Sequence, residues 1–337
     1  MTNGIYTLAN DFVYDQLVAL LNSIEANVAA EVPVCVIPYN DQLDKVRAEV
    51  ATRSNVTLFD DTESISRWEN FAIQAWKSHE KAQQVWQARG ASEASRLSRH
   101  RKFCCFDGPF ERFIYFDADT LSMGSIDHVF QKLDEYDWVT NDFQYKSQLH
   151  HIFDYPEPEL LKIFSAEVLK SHIFCSGWFA SKKGVFNSTR IADLLEKLQS
   201  GEANILSLRC IDQPLLNYLV LRSGIPYFNY AFHGDEATGS HWSSQFEDRN
   251  HVLYDRGKPI TYLHYMSVGS EKFTQLCKGE DVEIPYQDLF LHYRYLKTPQ
   301  ARPKLVSPSW LTRMQRTTSQ FVNQKVGRLK SRLGKFK

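Results

Sequence analysis

The sequence has no Cys-x-x-Cys pair. Its six cysteines, Cys35, Cys104, Cys105, Cys175, Cys210 and Cys277, show no zinc-ligand spacing. Most sit inside apolar runs, where a thiol behaves as a small core residue. No apolar run approaches the roughly 20 residues that a membrane-spanning helix needs. The opening MTNGIYTLAND turns polar almost at once, unlike a signal peptide. These absences together predict a reducing, cytoplasmic location. Internal repeats and low-complexity linkers are also missing. Bulky side chains are not: 22 Phe, 16 Tyr and 7 Trp among 337 residues exclude a disordered chain and supply a core for one large or two modest domains.

Acidic residues are absent after Asp288. Twelve of the 39 Lys and Arg lie beyond it, so the rest of the chain carries 27 basic against 40 acidic residues behind a net charge of −1. Within this segment Val322, Val326, Leu329, Leu333 and Phe336 recur at steps of four and three among basic and polar residues, the pattern of a basic amphipathic helix. The expectation is a domain over 1–300 and a basic tail over 301–337. Residues 310–337 are suited to an anionic membrane surface, which would attach the protein peripherally to the inner face of a membrane. Packing back on the acidic body is the alternative. A nucleic-acid partner is not expected, because the body is acidic and no recognition motif appears.

GIYTLAN, VPVCVIPYN and VTLFD read as strands, separated by a helix carrying Leu17, Leu20, Leu21, Ile24 and Val28 and by a second helix around 41–51. This β-α-β-α-β start predicts an α/β fold with a mainly parallel sheet flanked by helices, whose ligands bind beyond the carboxyl ends of the strands. Residues 66–102 read as largely helical with a break at Gly90. FIYFDADTLSM, WVTNDF and IFCSGWFAS read as further strands, and STRIADLLEKLQSG and DQPLLNYLVLRSG as helices.

Asp117 and Asp119 end the most apolar of these strands. Residues i and i+2 of a strand point to one side, so the pair could hold a hard cation. A short Asp-x-Asp is weak evidence by itself. FDADT also fits the signature of haloacid-dehalogenase-like phosphatases, with Asp117 as nucleophile, but a β-α-β-α-β region precedes it and the downstream lysine and acidic pair are poorly represented.

Several segments resemble the GT-A glycosyltransferases, and most closely the glycogenin-like retaining family 8. TLANDFVYDQLVALLNSI is similar to that family's first strand and helix, and FIYFDADTLSM to its metal-binding strand. IFCSGWFAS resembles its Asn-Ser/Ala-Gly strand, IDQPLLNYLV its Asp-Gln-x-x-Leu-Asn helix start, and LHYMSVGSEKF its His-x-x-Gly-x-x-Lys segment. The resemblance implies a GT-A fold with a Rossmann-like nucleotide-binding half and transfer of a sugar from a nucleotide-diphosphate donor. It implies Mn²⁺ or Mg²⁺ held by Asp117, Asp119 and His264. Thr7, Asn10 and Tyr14 would lie near the base, Gly269 and Lys272 at the diphosphate, and Ser176 and Gly177 along the donor pocket. Asp212 and Gln213 would sit beside the transferred sugar. The family's Arg-Leu could be Arg96-Leu97, though too far from Asp117, with Arg101 and Lys102 nearer and able to serve the phosphate. The acceptor would be a glycan or lipid-linked saccharide. Cys175 replaces the family's asparagine, Phe273 its Pro-Trp, and the His264–Gly269 interval is longer than the pattern. These departures mark a divergent branch, like the uncharacterised sugar transferases of cyanobacteria, and leave a catalytically inactive sugar- or nucleotide-binding protein as a further alternative. Asp212 could also serve only as a helix N-cap, and Trp178 and Trp242 as core residues or acceptor platforms.

Overall fold

The structure is a computed structural model that describes residues 2–88, 90, 97–146, 149–234 and 244–306. Arg96, Trp242 and the amphipathic segment 310–337 lie outside the described residues.

Seven strands form the central sheet: β1 Asn3–Ala9, β2 Val34–Pro38, β3 Val56–Leu58, β4 Arg112–Asp117, β6 Trp138–Thr140, β7 Trp178–Lys182 and β8 Tyr227–Asn229, with β5 at Thr120–Ser122 belonging to a separate ribbon. Their order is β3-β2-β1-β4-β7-β6-β8. The first four are parallel, β7 runs antiparallel to both β4 and β6, and β6 and β8 are parallel. The α/β, mainly parallel architecture expected from the sequence is therefore present.

Alternation of side chains along the strands builds a core on each face. Tyr6, Phe113 and Tyr115 face one layer, with Trp68 and Phe71 of helix Thr62–Lys77. Ile5, Ile114 and Phe116 face the other, with Leu17, Leu20, Leu21 and Ile24 of helix Tyr14–Asn27. A smaller third core joins β5 to β10 Val252–Asp255, β12 Tyr262–His264 and helices Ser270–Cys277 and Gln287–Arg294, while β9 Glu247–Arg249 and β11 Lys258–Pro259 flank β10 as exposed strands.

Three local readings change. The helical stretch begins at Thr62 and breaks at Ser78–His79 as well, and its last part, Ser98–Phe106, is a 3₁₀ helix. In IFCSGWFAS only Trp178 onward is strand. The amides before it donate to side chains instead of a neighbouring strand: Phe174 to Asn217 (3.1 Å), Cys175 to Asp142 (3.1 Å) and Ser176 to Gln213 (3.3 Å). Asp212 is not the N-cap of its helix, Asp212–Ser223. Ile211 holds that position, and the Asp212 carboxylate turns to Lys102 and Ser176. Trp178 is a core residue, fully buried and stacked on Tyr262 at 4.9 Å.

The first residues assigned to the tail still dock on the body. Val306 donates to Gly279 (2.8 Å) and accepts from Asp281 (3.2 Å).

Candidate active site

Asp117 closes β4, and its amide donates to the Gly177 carbonyl (2.8 Å), which fixes the strand end to the loop before β7. Ala118 and Asp119 form a turn, so the two aspartates converge through a bend and not along one extended strand. β5 follows and pairs antiparallel with β12, which sets His264 opposite Thr120. Asp117, Asp119 and His264 thereby present one ligand atom each, all within 4.8 Å of one another.

The surroundings fit an ion. A Cβ at Gly177 would lie 2.3 Å from His264 Cε1 and 3.1 Å from Asp117 Oδ2, so only glycine leaves this cradle open. The Asp117 oxygens are divided. Oδ1 accepts from Tyr115 Oη (2.7 Å) and Lys102 Nζ (3.1 Å), while Oδ2 is the oxygen nearest the cradle. Two carboxylates and an imidazole suit Mn²⁺ or Mg²⁺. Burial alone would lower the His264 pKa, but the charge and hydrogen bond of Asp119 raise it well above its ordinary value.

Beneath this cluster lies a buried cation. Lys102 comes from the 3₁₀ helix Ser98–Phe106, is 2% exposed, and bridges Asp117 Oδ1 to Asp212 Oδ2 (2.8 Å). Burial would raise the Asp212 pKa. The charge and hydrogen bond of Lys102, with Arg99, override it and hold the carboxyl well below the usual carboxylate range. Asp212 Oδ2 also accepts from Ser176 Oγ (3.0 Å), and Cys210 Sγ donates to Oδ1 (3.2 Å). Gln213 is held by the Ser176 amide.

These groups open into one cleft of about 880 Å³ beyond the carboxyl ends of β1, β4 and the β7 loop. It brings together ten predicted residues: Asn10, Lys102, Asp117, Asp119, Ser176, Gly177, Asp212, Gln213, His264 and Gly269. Four others do not line it. Thr7 is fully buried within β1. Tyr14 turns outward and donates to Glu49 (3.0 Å), its phenol pushed up to about 12 by burial and then by Glu49. Arg101 is taken up by Glu69 (2.7 Å) and the Pro38 carbonyl. Lys272 lies in the first turn of Ser270–Cys277, its amide donating to Gly269.

Other residues at the cleft carry no sequence signal of their own. Phe12 stands 59% exposed at its rim, in the 3₁₀ turn Asp11–Val13 that Asn10 caps. Arg99, His151, Arg209 and Cys210 line the same cleft. The i,i+3 spacing within Ser98–Phe106 puts Arg99 and Lys102 on the cleft side and turns Arg101 away.

No family model matches the chain, and no curated protein sequence matches it. Solved structures do. Apo WbbM, a bifunctional glycosyltransferase, superposes with a TM-score of 0.52 at 13% identity, covering 90% of this chain and 52% of that one. The fold is that of the GT-A glycosyltransferases. The chain spans about half the length of WbbM. The galactosyltransferase LgtC, in complex with donor and acceptor sugar analogues, matches at 15% identity over 85% of this chain and 99% of its own, with a TM-score of 0.48. Apo mouse xyloside xylosyltransferase 1 matches at 11% identity over 67% and 84%, with a TM-score of 0.47. In this sheet β4 is a central strand and fourth along the chain.

Proposed function

We propose that the protein is a metal-dependent, retaining glycosyltransferase of the glycogenin-like kind. It moves a sugar from a nucleotide-diphosphate donor, in the first instance UDP-linked, to a hydroxyl of a saccharide or lipid-linked saccharide. The observation that carries this reading is the convergence of Asp117, Asp119 and His264 around a glycine-shaped cradle, beside the Lys102–Asp212 pair, in one cleft of a GT-A fold.

Asp117, Asp119 and His264 would hold Mn²⁺ or Mg²⁺, which when bound supplies positive charge for a departing diphosphate. The chain's own groups divide the remaining work. Asn10 and the exposed ring of Phe12 offer a polar contact and a stacking face for the base. The Gly269–Ser270 helix start points amides at the cleft, where an anion is favoured. In the transfer, the anomeric carbon–oxygen bond to the diphosphate breaks and its electron pair leaves with the phosphate oxygen. The acceptor oxygen bonds to the anomeric carbon, and its proton passes to the departing phosphate.

Retention is supported by what the carboxylates are doing. Inversion through a carboxylate base needs a free one facing the acceptor. The acids lining the cleft among the described residues are Asp117, Asp119 and Asp212. The first two belong to the metal set. Asp212 is ion-paired and held ionised, which makes it a poor base and a good stabiliser of positive charge on the sugar ring.

The test is thermal stabilisation of the purified protein by a panel of nucleotide sugars with and without Mn²⁺. A donor that stabilises only with the metal, and whose effect disappears in Asp117→Ala, supports the reading. Equal donor hydrolysis in wild type and Asp117→Ala would refute the metal assignment. Mn²⁺-dependent donor binding without transfer to any saccharide would favour a binding protein.

A further inference from the structure

The cleft has a second charged feature that donor chemistry does not use. His151 and Arg209 stand exposed on its rim, on two loops that are tied together. Ser207 donates its amide to the Ile152 carbonyl (2.9 Å) and its hydroxyl to the His150 carbonyl (2.8 Å). Asp154 donates its amide to the Ile205 carbonyl (2.9 Å), and Phe153 bridges Leu206. Beneath them, the ring of buried His79 reaches the Leu206 carbonyl (3.0 Å). The Arg209 amide is itself anchored on Ser207 Oγ (3.4 Å). The result is a ledge whose two backbone segments are fixed to each other.

We propose that His151 and Arg209 recognise an anionic group, a phosphate or a carboxylate, on the acceptor saccharide. The inference rests on the glycosyl-transfer reading for its word "acceptor", while the anion site itself rests on the ledge.

Charge supports it. Among the described residues no carboxylate pairs with Arg209. The acids of the cleft are committed elsewhere, Asp117 and Asp119 to the cation cradle and Asp212 to Lys102. Arg99, the other rim arginine, is turned toward Tyr39 and Asp212. The groups acting on His151 besides burial are His150, whose ring centroid lies 4.4 Å away, and Arg209, and both lower its pKa. Arg209 brings a positive charge with no built-in counter-charge and the neutral His151 ring an N–H donor, and an anion that arrives with a ligand satisfies both.

Position says which ligand. Arg209 lies just ahead of Asp212–Gln213, the pair assigned to the transferred sugar. The diphosphate is assigned to different residues of the cleft, His264 and the Gly269–Ser270 helix start. An anion on the ledge is then the acceptor's, since the incoming hydroxyl must approach the same sugar.

The experiment measures melting of the full-length protein with Mn²⁺ and UDP present, titrated with glucose 6-phosphate, glucuronate or glucose. Stabilisation by one or both charged sugars, and none by glucose, is expected; the responding arm tells phosphate from carboxylate, and inorganic phosphate should compete with it. Arg209→Gln and His151→Gln should each weaken that apparent affinity about tenfold, with Arg209→Lys intermediate, the loss of a charge-assisted contact. Arg209→Lys and His151→Gln keep the test open if Arg209→Gln does not fold. Absence of any response to the charged sugars, or an affinity unchanged by all three variants, overturns the proposal. So does a loss of UDP affinity in Arg209→Gln with charged-sugar binding intact, which would assign the arginine to the donor. If the charged sugars bind through Arg209 but no nucleotide sugar binds, the transfer reading fails and the anion ledge stands.

Discussion

At the scale of single residues, Gly177 and Lys102 decide more than their neighbours in sequence suggest. Gly177, which the resemblance implies lines the donor pocket, also makes room there. A methyl group there would collide with the His264 ring. Gly177→Ala should fold and lose Mn²⁺-dependent donor stabilisation, with a shift in apparent metal affinity of about tenfold or more, read by thermal titration. Retained metal dependence would show that the cradle does not hold the ion. Lys102 bridges two carboxylates, and for buried Asp212 it supplies the counter-charge that solvent cannot. Removing it as Lys102→Met leaves Asp212 buried with an uncompensated charge, a cost of about 3–5 kcal/mol. Urea unfolding should show that loss, and Lys102→Met with Asp212→Asn should recover part of it. Additive losses would mean that the pair is not coupled.

At the scale of elements, the 3₁₀ helix Ser98–Phe106 governs the floor of the site. It buries His100 as well as Lys102. His100 Nε2 lies 3.1 Å from both Trp76 Nε1 and the Ile211 carbonyl, so this residue ties helix Thr62–Lys77 to the turn that presents Asp212. Burial, opposed by Asp212, pushes its pKa down to about 4. The unfolded chain therefore takes up a proton first as pH falls. The stability that neutral His100 contributes is present above about pH 6.5 and lost toward pH 4, by up to about 3 kcal/mol. Asp142 acts in the opposite sense, since burial raises it to about 6. The total pH trend is thus no test. The difference between wild type and His100→Gln is: their gap in urea midpoint should shrink as pH falls from 7 to 5. A gap that does not change with pH would show that His100 is not buried neutral. The β7 loop makes the same point without titration. Its amides serve Asn217, Asp142 and Gln213, so a stretch that reads as strand is held open as part of the cleft.

At the scale of the whole molecule, an acidic body carries a basic C-terminal segment. Residues 301–306 dock beside Gly279, and beyond them the sequence has eight basic residues and no acidic one. Attraction to anionic lipid is worth about 1 kcal/mol per basic residue near the surface. Full-length protein should float with anionic liposomes, and a chain ending at Val306 should not, with the difference erased by high salt. Equal flotation of both would refute membrane attachment through the segment. No helix among the described residues is long and apolar enough to cross a membrane.

The sequence alone determined the layers. The apolar runs of β1 and β4 and the leucine-rich helix Tyr14–Asn27 are local patterns, and local patterns survive without knowledge of partners. It also marked Asp117, Asp119, Asp212 and His264 as residues of interest. Only the tertiary structure decided which neighbours share the cleft. Thr7, Tyr14, Arg101 and Lys272 are within one or two residues of positions that line it, yet a strand or helix turns successive side chains in different directions. His264 reaches the aspartates because β12 pairs with β5, and Arg209 reaches His151 because two distant loops are tied through Ser207. Those are long-range pairings, set by which backbones hydrogen-bond to which, and no short stretch of sequence contains them.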